Sequence, residues 1–345
     1  MVPFDDRPQR PPRICLLATP ESTPATLLGL HEVLATLEPA WVGLTADRDF
    51  RAPFDVQIVG EAKGWLRMAH GFSVEVQAAI ADVPAADVVI VGDLDLDPGA
   101  DHRGRWPAIG AWLRRIHGHG GTVCTVCSGS VLLAATGLLD GRTATTHWGF
   151  VDTFERWFPA VILRPERILV AVPDDARIVT AGGVASWQDL ALYVVARFHG
   201  EAAAINAAKL FLLGDRSEGQ LLYAARLRPR RHDDAVIADC QAWIADTYAL
   251  PTPVARLTER SGLPGRTFKR RFKAATGFAP VDYVQMLRIE EAKQLLERSA
   301  EPVDAVGRIV GYDDPASFRR LFKRSTGVTP SRYRQRFRSL PGRLG

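Results

Sequence analysis

Short apolar runs punctuate the first two thirds of the chain: ICLLA (14–18), DVQIVG (55–60), ADVVIVGD (86–93), TVCTV (122–126) and RIVTAGG (177–183). Between them, segments such as LLGLHEVLATL (27–37) repeat apolar residues at helical spacing. Buried strands alternating with helices predict a parallel sheet covered on both faces, so residues 13–213 read as one α/β sandwich. Its last part, 187–213, reads as one or two Ala- and Leu-rich helices. The Pro-rich residues 1–12 are expected to form a disordered tail. Beyond about residue 234 the β-type runs stop, and amphipathic helices separated by Gly and Pro take over. That divides the chain into a sandwich at 13–213, a linker at 214–234, an all-α domain at 235–338 and a tail at 339–345.

The helical part contains a repeat. RTFKRRFKAATGFAPVDYVQ (266–285) and ASFRRLFKRSTGVTPSRYRQ (316–335) lie 50 residues apart and agree at nine of 20 positions, Phe268/Phe318, Phe272/Phe322 and Gly277/Gly327 among them. Each copy follows a short helical pattern and a turn, VARLTERSGLPG or VDAVGRIVGYDDP, which makes two helix-turn-helix units. Phenylalanines four apart share the inner face of each second helix. The outer face carries Arg266, Arg270 and Lys273 in the first copy and Ala316, Arg320 and Lys323 in the second. An uninterrupted helical pattern over 281–299, about 28 Å long, could hold the two basic helices about one DNA turn apart on one side of a duplex.

Charge sharpens this division. The whole chain carries a net +4, but residues 1–225 hold 19 Lys+Arg against 26 Asp+Glu, a net −7, and residues 226–345 hold 24 against 13, a net +11. A polyanionic partner is therefore expected for the second part alone.

The double unit resembles the DNA-binding module of AraC/XylS-type bacterial transcription regulators over about residues 235–338, with GVTPSRYRQRF (327–337) as its most specific stretch. The resemblance implies double-stranded DNA as partner. It places base reading on Arg266, Thr267 and Arg270 and on Ala316, Ser317 and Arg320, with Lys269, Lys273, Arg319 and Lys323 added for phosphates. Ala316 departs from the longer polar side chain often found there.

The front domain resembles the ThiJ/PfpI superfamily, an amidotransferase-like, flavodoxin-like α/β fold, through TVCTVCSGSVLLAATGLLDGRTATTHW (122–148) and RIVTAGGVASWQDLALYVVARFHG (177–200). In that superfamily Cys127 occupies the nucleophile elbow, where helix amides can lower a thiol pKa, and His147 approaches it. Hydrolytic members have a histidine directly after the cysteine, where this chain has Ser128. Redox-sensing and glyoxalase-like members have a glutamate near the first helix, at the place of Thr26, with Glu21 nearby. A thiol without base or acid is poorly activated, so no catalysis is expected. Thr26, Cys127, Ser128, His147 and Gly183 are candidate effector-pocket residues instead.

Neither a metal nor a cofactor is expected: Cys124 and Cys127 stand three apart, which on a strand points them to opposite faces, and no further ligands are suggested. No apolar run approaches the roughly 18 to 20 residues that span a bilayer, and the N-terminus lacks an apolar leader, so a cytoplasmic protein is expected. The resulting expectation is a DNA-binding regulator, homodimeric through its front domain and responsive to a small-molecule effector. As an activator it would also meet RNA polymerase. The alternative is a cysteine-dependent hydrolase or glyoxalase-like enzyme with an attached DNA-binding domain.

Overall fold

A computed structural model describes residues 10–173, 175–214, 218–224 and 232–338. The chain divides into two compact units, Met1–Gln220 and Leu221–Gly345. Among the described residues no helix is long and apolar enough to cross a membrane.

The strands of the front unit are β1 (Arg13–Leu17), β2 (Asp55–Gly60), β3 (Gly64–Arg67), β4 (Ser73–Val76), β5 (Ala78–Ala79), β6 (Val88–Val91), β7 (Thr122–Val126), β8 (Thr143–Ala144), β9 (Ile162–Leu163), β10 (Leu169–Val172) and β11 (Asp175–Ala181). Seven of them form one sheet in the order β10-β11-β7-β6-β1-β2-β5. The helices are α1 (Pro24–Thr45), α2 (Pro107–Gly118), α3 (Gly129–Ala135), α4 (Val151–Trp157), α5 (Trp187–His199) and α6 (Glu201–Leu210). All four residues of β6 are buried, as a strand covered on both faces requires. Val89 and Val91 join a core with Trp112, Leu113 and Phe154 from α2 and α4, whereas Val88 and Ile90 join a core with Leu30 and Leu34 of α1 and Leu190 and Val194 of α5.

The sheet is mixed rather than wholly parallel, because β10 pairs antiparallel with β11 at the edge. Only two residues separate these strands, and a parallel crossover needs a dozen or more. The β3–β4 ribbon and the β8–β9 pair stand outside this sheet. Their short runs lack the sustained apolar signal of the central strands.

The back unit has seven helices among its described residues: α7 (Ala235–Thr247), α8 (Pro253–Arg260), α9 (Gly265–Thr276), α10 (Pro280–Arg298), α11 (Val303–Ile309), α12 (Pro315–Thr326) and α13 (Pro330–Arg338). Helix α10 serves two cores: Tyr283, Val284 and Leu287 pack with Phe268 and Phe272, and Ile289, Ala292 and Leu296 pack with Phe318 and Phe322. The sequence repeat is a structural one. Tyr283 stacks edge-on at 5.3 Å from Phe272, and Tyr333 at 5.4 Å from Phe322. Gly277 and Gly327, both at φ +84°, end α9 and α12 with amides bonded back to Lys273 and Lys323.

The expected boundaries need correction where residues are described. Within the supposed tail, Arg10 pairs with Asp87 at 2.9 Å and Pro12 is buried. Residues 1–9 and 339–345 lie outside the described part. Within the supposed linker 214–234, Gln220 is buried in the front unit, Leu222 and Ala224 are buried in the back unit, and Asp234 caps α7 while pairing with Arg271 at 2.8 Å. The hydrophobic period is too short there to reveal packing; residues 215–217 and 225–231 are outside the described part.

Candidate functional site

In a parallel sheet, ligand sites gather beyond the carboxyl ends of the strands. Here β1, β6, β7 and β11 lead directly into the segments that hold Thr19–Thr26, Asp93, Cys127 and Gly183. Cys127 takes a left-handed conformation, φ +56°, immediately after β7, with its amide bonded to the Ala181 carbonyl at 2.9 Å. Such a conformation is strained for a side chain larger than glycine's and marks a sharp strand-to-helix turn. The turn closes only because position 129 is glycine: a Cβ there would fall 2.3 Å from the Gly92 carbonyl oxygen.

The thiol itself is 3% exposed, and its pKa is pushed well above the usual 9.0. Burial is the main cause, followed by the nearby Asp93 carboxylate, whose charge favours the neutral thiol; Ser128 opposes these only in part. The expected lowering by helix amides is thus overturned. A carboxylate does reach this sulfur, but it comes from the end of β6. Ser128 Oγ lies 2.8 Å from Asp93 Oδ1, and the Thr26 hydroxyl accepts the Asp93 amide at 3.1 Å. Thr23 Oγ1 donates to the other carboxylate oxygen at 3.2 Å.

A second cluster adjoins the first through Thr146, whose hydroxyl donates to the Cys127 carbonyl at 3.3 Å. The next residue, His147, accepts the Gly149 amide at Nδ1, 3.0 Å, which leaves the proton of a neutral ring on Nε2. A Cβ built on Gly183 would stand 3.4 Å from His147 Cδ2 and 3.7 Å from Gln220 Oε1. Gln220 donates through Nε2 to the Thr146 carbonyl at 2.7 Å.

In the back unit, Phe268 and Phe272 are fully buried while Arg266, Lys269, Arg270 and Lys273 are exposed and have no ion pair or hydrogen-bond partner through their side chains among the described residues. Thr267 is half-buried on the same helix. In the other copy Ala316, Arg319, Arg320 and Lys323 are exposed, Ser317 is half-buried, and the arginines are partly engaged by the protein itself. Arg319 pairs with Asp304, and Arg320 reaches Ser317 Oγ at 2.9 Å and Asp314 at 3.7 Å.

A DJ-1/PfpI family model matches residues 34–197, and a helix-turn-helix domain model matches residues 257–336. The HTH-type transcriptional regulator CdhR of Pseudomonas aeruginosa is 29% identical over 280 residues, 77% of each chain. The HTH-type transcriptional regulator GlxA of Rhizobium meliloti is 27% identical over 232 residues, 65% of this chain and 68% of its own. The MmsAB operon regulatory protein of Pseudomonas aeruginosa is 36% identical over 131 residues, 38% of this chain and 43% of its own. With these two domain matches and these relatives, the chain is a DNA-binding transcriptional regulator with a DJ-1/PfpI-type domain in front and a helix-turn-helix domain behind.

Of the residues singled out in this regulator, Cys127, Ser128 and Thr26 meet around Asp93, and His147 and Gly183 meet beside Gln220. Thr26 and Ser128 are fully buried; Thr26 fixes the Asp93 backbone through its amide and Ser128 bonds the carboxylate, so the two position Asp93. Glu21, the other acid considered, is held in an ion pair with Arg105 at 2.6 Å; burial opposes its ionisation, but bonds from Thr19, its own amide and Arg105 outweigh that and lower its pKa. Cys124 and Cys127 belong to the same apolar layer, contrary to the opposite faces expected, because β7 ends at Val126 and Cys127 is already in the turn. Asp93 and Gln220 were missed. Asp93 had a signal, its place two residues past a buried parallel strand; Gln220 had none.

Proposed function

We propose that the regulator is switched by a small molecule held at the carboxyl edge of its front sheet, by Cys127, His147 and Gly183, and that this domain performs no turnover. The observation that carries the reading is Cys127, buried just past the end of β7 with the Asp93 carboxylate beside it. A nucleophile needs a thiolate or a base that takes its proton, and burial together with the negative charge of Asp93 raises the thiol pKa and keeps it neutral near pH 7. Thr26 and Ser128 hold Asp93 in that arrangement. In the back domain, α9 and α12 enter successive major grooves, with Arg266, Thr267 and Arg270, and Ala316, Ser317 and Arg320, at the base edges. Lys269, Lys273, Arg319 and Lys323 lie toward phosphates.

This reading has the front domain dimerise in the cytoplasm, and RNA polymerase as a further partner if regulation is positive. The test combines two measurements on the full chain. Metabolites are screened for a rise in melting temperature, where a compound at 100 times its dissociation constant adds about 2.7 kcal/mol. Each compound that binds is then assayed for a change in operator affinity. Amidase or glyoxalase turnover that disappears in Cys127→Ser would instead establish the hydrolase or glyoxalase-like alternative.

A further inference from the structure

We infer that Gln220 is an effector-sensing residue whose carboxamide oxygen accepts a hydrogen bond from an N–H or O–H group of the bound small molecule, beside His147 and Gly183. Gln220 is 3% exposed. Its Nε2 lies 2.7 Å from the Thr146 carbonyl, 3.3 Å from the Arg167 carbonyl and 3.3 Å from Thr145 Oγ1. Two of these three neighbours are carbonyls, which can only accept, so the amide orientation is determined: turning it over would set oxygen against oxygen. Oε1 is therefore the outer atom, and it is buried without a hydrogen-bond partner among the described residues.

A buried acceptor left unsatisfied is costly and rare in a native fold, and it calls for a donor. The surroundings are built to hold it. A Cβ on Gly182 would fall 2.6 Å from Gln220 Nε2, and one on Gly219, at φ +79°, would fall 2.6 Å from the Glu166 carbonyl oxygen, so the segment lies flush only because both positions lack a side chain. Glycine at 183 leaves about a methyl group's room beside Oε1, since a Cβ there would stand 3.7 Å from that oxygen and 3.4 Å from His147 Cδ2. Output is close along the chain. Leu222, two residues later, is buried in the core formed by α10, α11 and α12 of the DNA-binding unit. A donor that engages Gln220 thus acts on the peptide that enters that core.

The inference rests on the effector reading above, and the experiment separates the two. Full-length protein labelled with 15N-glutamine is titrated with acetamide, which has two N–H donors, and with N,N-dimethylacetamide, which keeps the carbonyl and has none. Acetamide should shift the Gln220 side-chain resonance with an apparent affinity about tenfold higher, the value of one net hydrogen bond. Gln220→Met identifies the resonance. Gly183 sits at φ −58°, which alanine adopts freely, so Gly183→Ala should fold and retain the Gln220 signal while losing the acetamide response. Equal shifts from both probes, no shift from either, or an unchanged response in Gly183→Ala would overturn the inference. If a metabolite alters operator affinity equally in parent, Gly183→Ala and Gln220→Met, Gln220 is not the sensor although the effector reading stands. If the acetamide response holds and no metabolite alters operator affinity, the donor site stands and the effector reading fails.

Discussion

The buried Cys127 thiol lies under the charge of Asp93, a carboxylate held by Ser128 Oγ at 2.8 Å and Thr23 Oγ1 at 3.2 Å. The sulfur at the strand-to-helix elbow is thereby kept neutral by burial and by an anion beside it. Alkylation of Cys127 by iodoacetamide at pH 8, followed by peptide mass spectrometry, should run at least about tenfold slower than in the unfolded chain, since each unit of raised pKa removes tenfold of thiolate. Asp93→Asn removes the charge and should speed the reaction. Rapid labelling of the folded parent would contradict the neutral-thiol account.

Buried thiols also set how stability falls in alkali. Burial pushes Cys15 up to about 11 and Cys124 up to about 12, from 9.0. Between pH 9 and those values the unfolded chain loses these protons and the folded chain keeps them, so stability is full below pH 9 and declines as pH rises. Each such thiol contributes about 1.4 kcal/mol of loss per pH unit in that window. Denaturant unfolding of Cys124→Ala at pH 8 and pH 10 should show a difference about 1.4 kcal/mol smaller than the parent's. An unchanged difference would mean that Cys124 is not a buried thiol in solution.

The sheet, the two helix-turn-helix copies and the elbow were legible because each is written in a strong local code. Four consecutive buried residues make β6, phenylalanines four apart face the two back cores, and a small-residue turn follows β7. What escaped was fixed by tertiary placement. Asp93 meets Cys127 only because β6 and β7 are neighbours in register, Val91 opposite Thr125. Gln220 and Leu222 sit in a stretch too short and too polar around its edges to show a period, yet each is buried by surroundings far away in sequence.

The two recognition helices should contribute unequally to DNA affinity. Arg270 is exposed and its side chain has no partner among the described residues, whereas Arg319 is already paired with Asp304. Arg270→Ala should weaken operator binding by about 1 to 3 kcal/mol and relax preference at one base pair. Arg319→Ala should cost less, and Asp304→Asn should strengthen binding at low salt by freeing that guanidinium. Titrations at fixed salt with operator and mismatched duplexes measure both; equal losses for the two arginines would contradict the asymmetry.

Phosphate contact makes affinity depend on salt. With a net +11 over residues 226–345, the logarithm of operator affinity should fall linearly with the logarithm of salt concentration, by about 0.9 per phosphate neutralised. Lys273→Ala should reduce that slope by about 1 without changing sequence preference, because lysine on this face meets backbone and not bases. Filter-binding or anisotropy titrations across a salt series give the slope. A flat response would contradict the assigned face.

The segment that begins the back unit should be part of its core, and not a tether. Leu222 is 2% exposed among Ile289, Leu296, Phe318 and Phe322, and Ala224 offers its carbonyl to Lys293 Nζ at 2.6 Å. That ammonium is itself buried and balanced by Glu290 at 3.0 Å, so the strand of chain before α7 completes a charge pair as well as an apolar layer. On the same stretch, Arg336 donates to Tyr223 Oη at 2.9 Å. Leu222→Ala removes a fully packed side chain and should cost the back unit about 2 to 5 kcal/mol. Lys293→Met fits the same space but takes the buried ammonium away from Glu290 and leaves the Ala224 carbonyl without its donor, and it should also destabilise that unit. Calorimetry of the full chain, with tryptophan emission to separate the units, should show the back unit's transition falling while the front unit's stays in place. If Leu222→Ala melts like the parent, residues 221–224 are a free linker in solution and cannot carry a signal into the DNA-binding core.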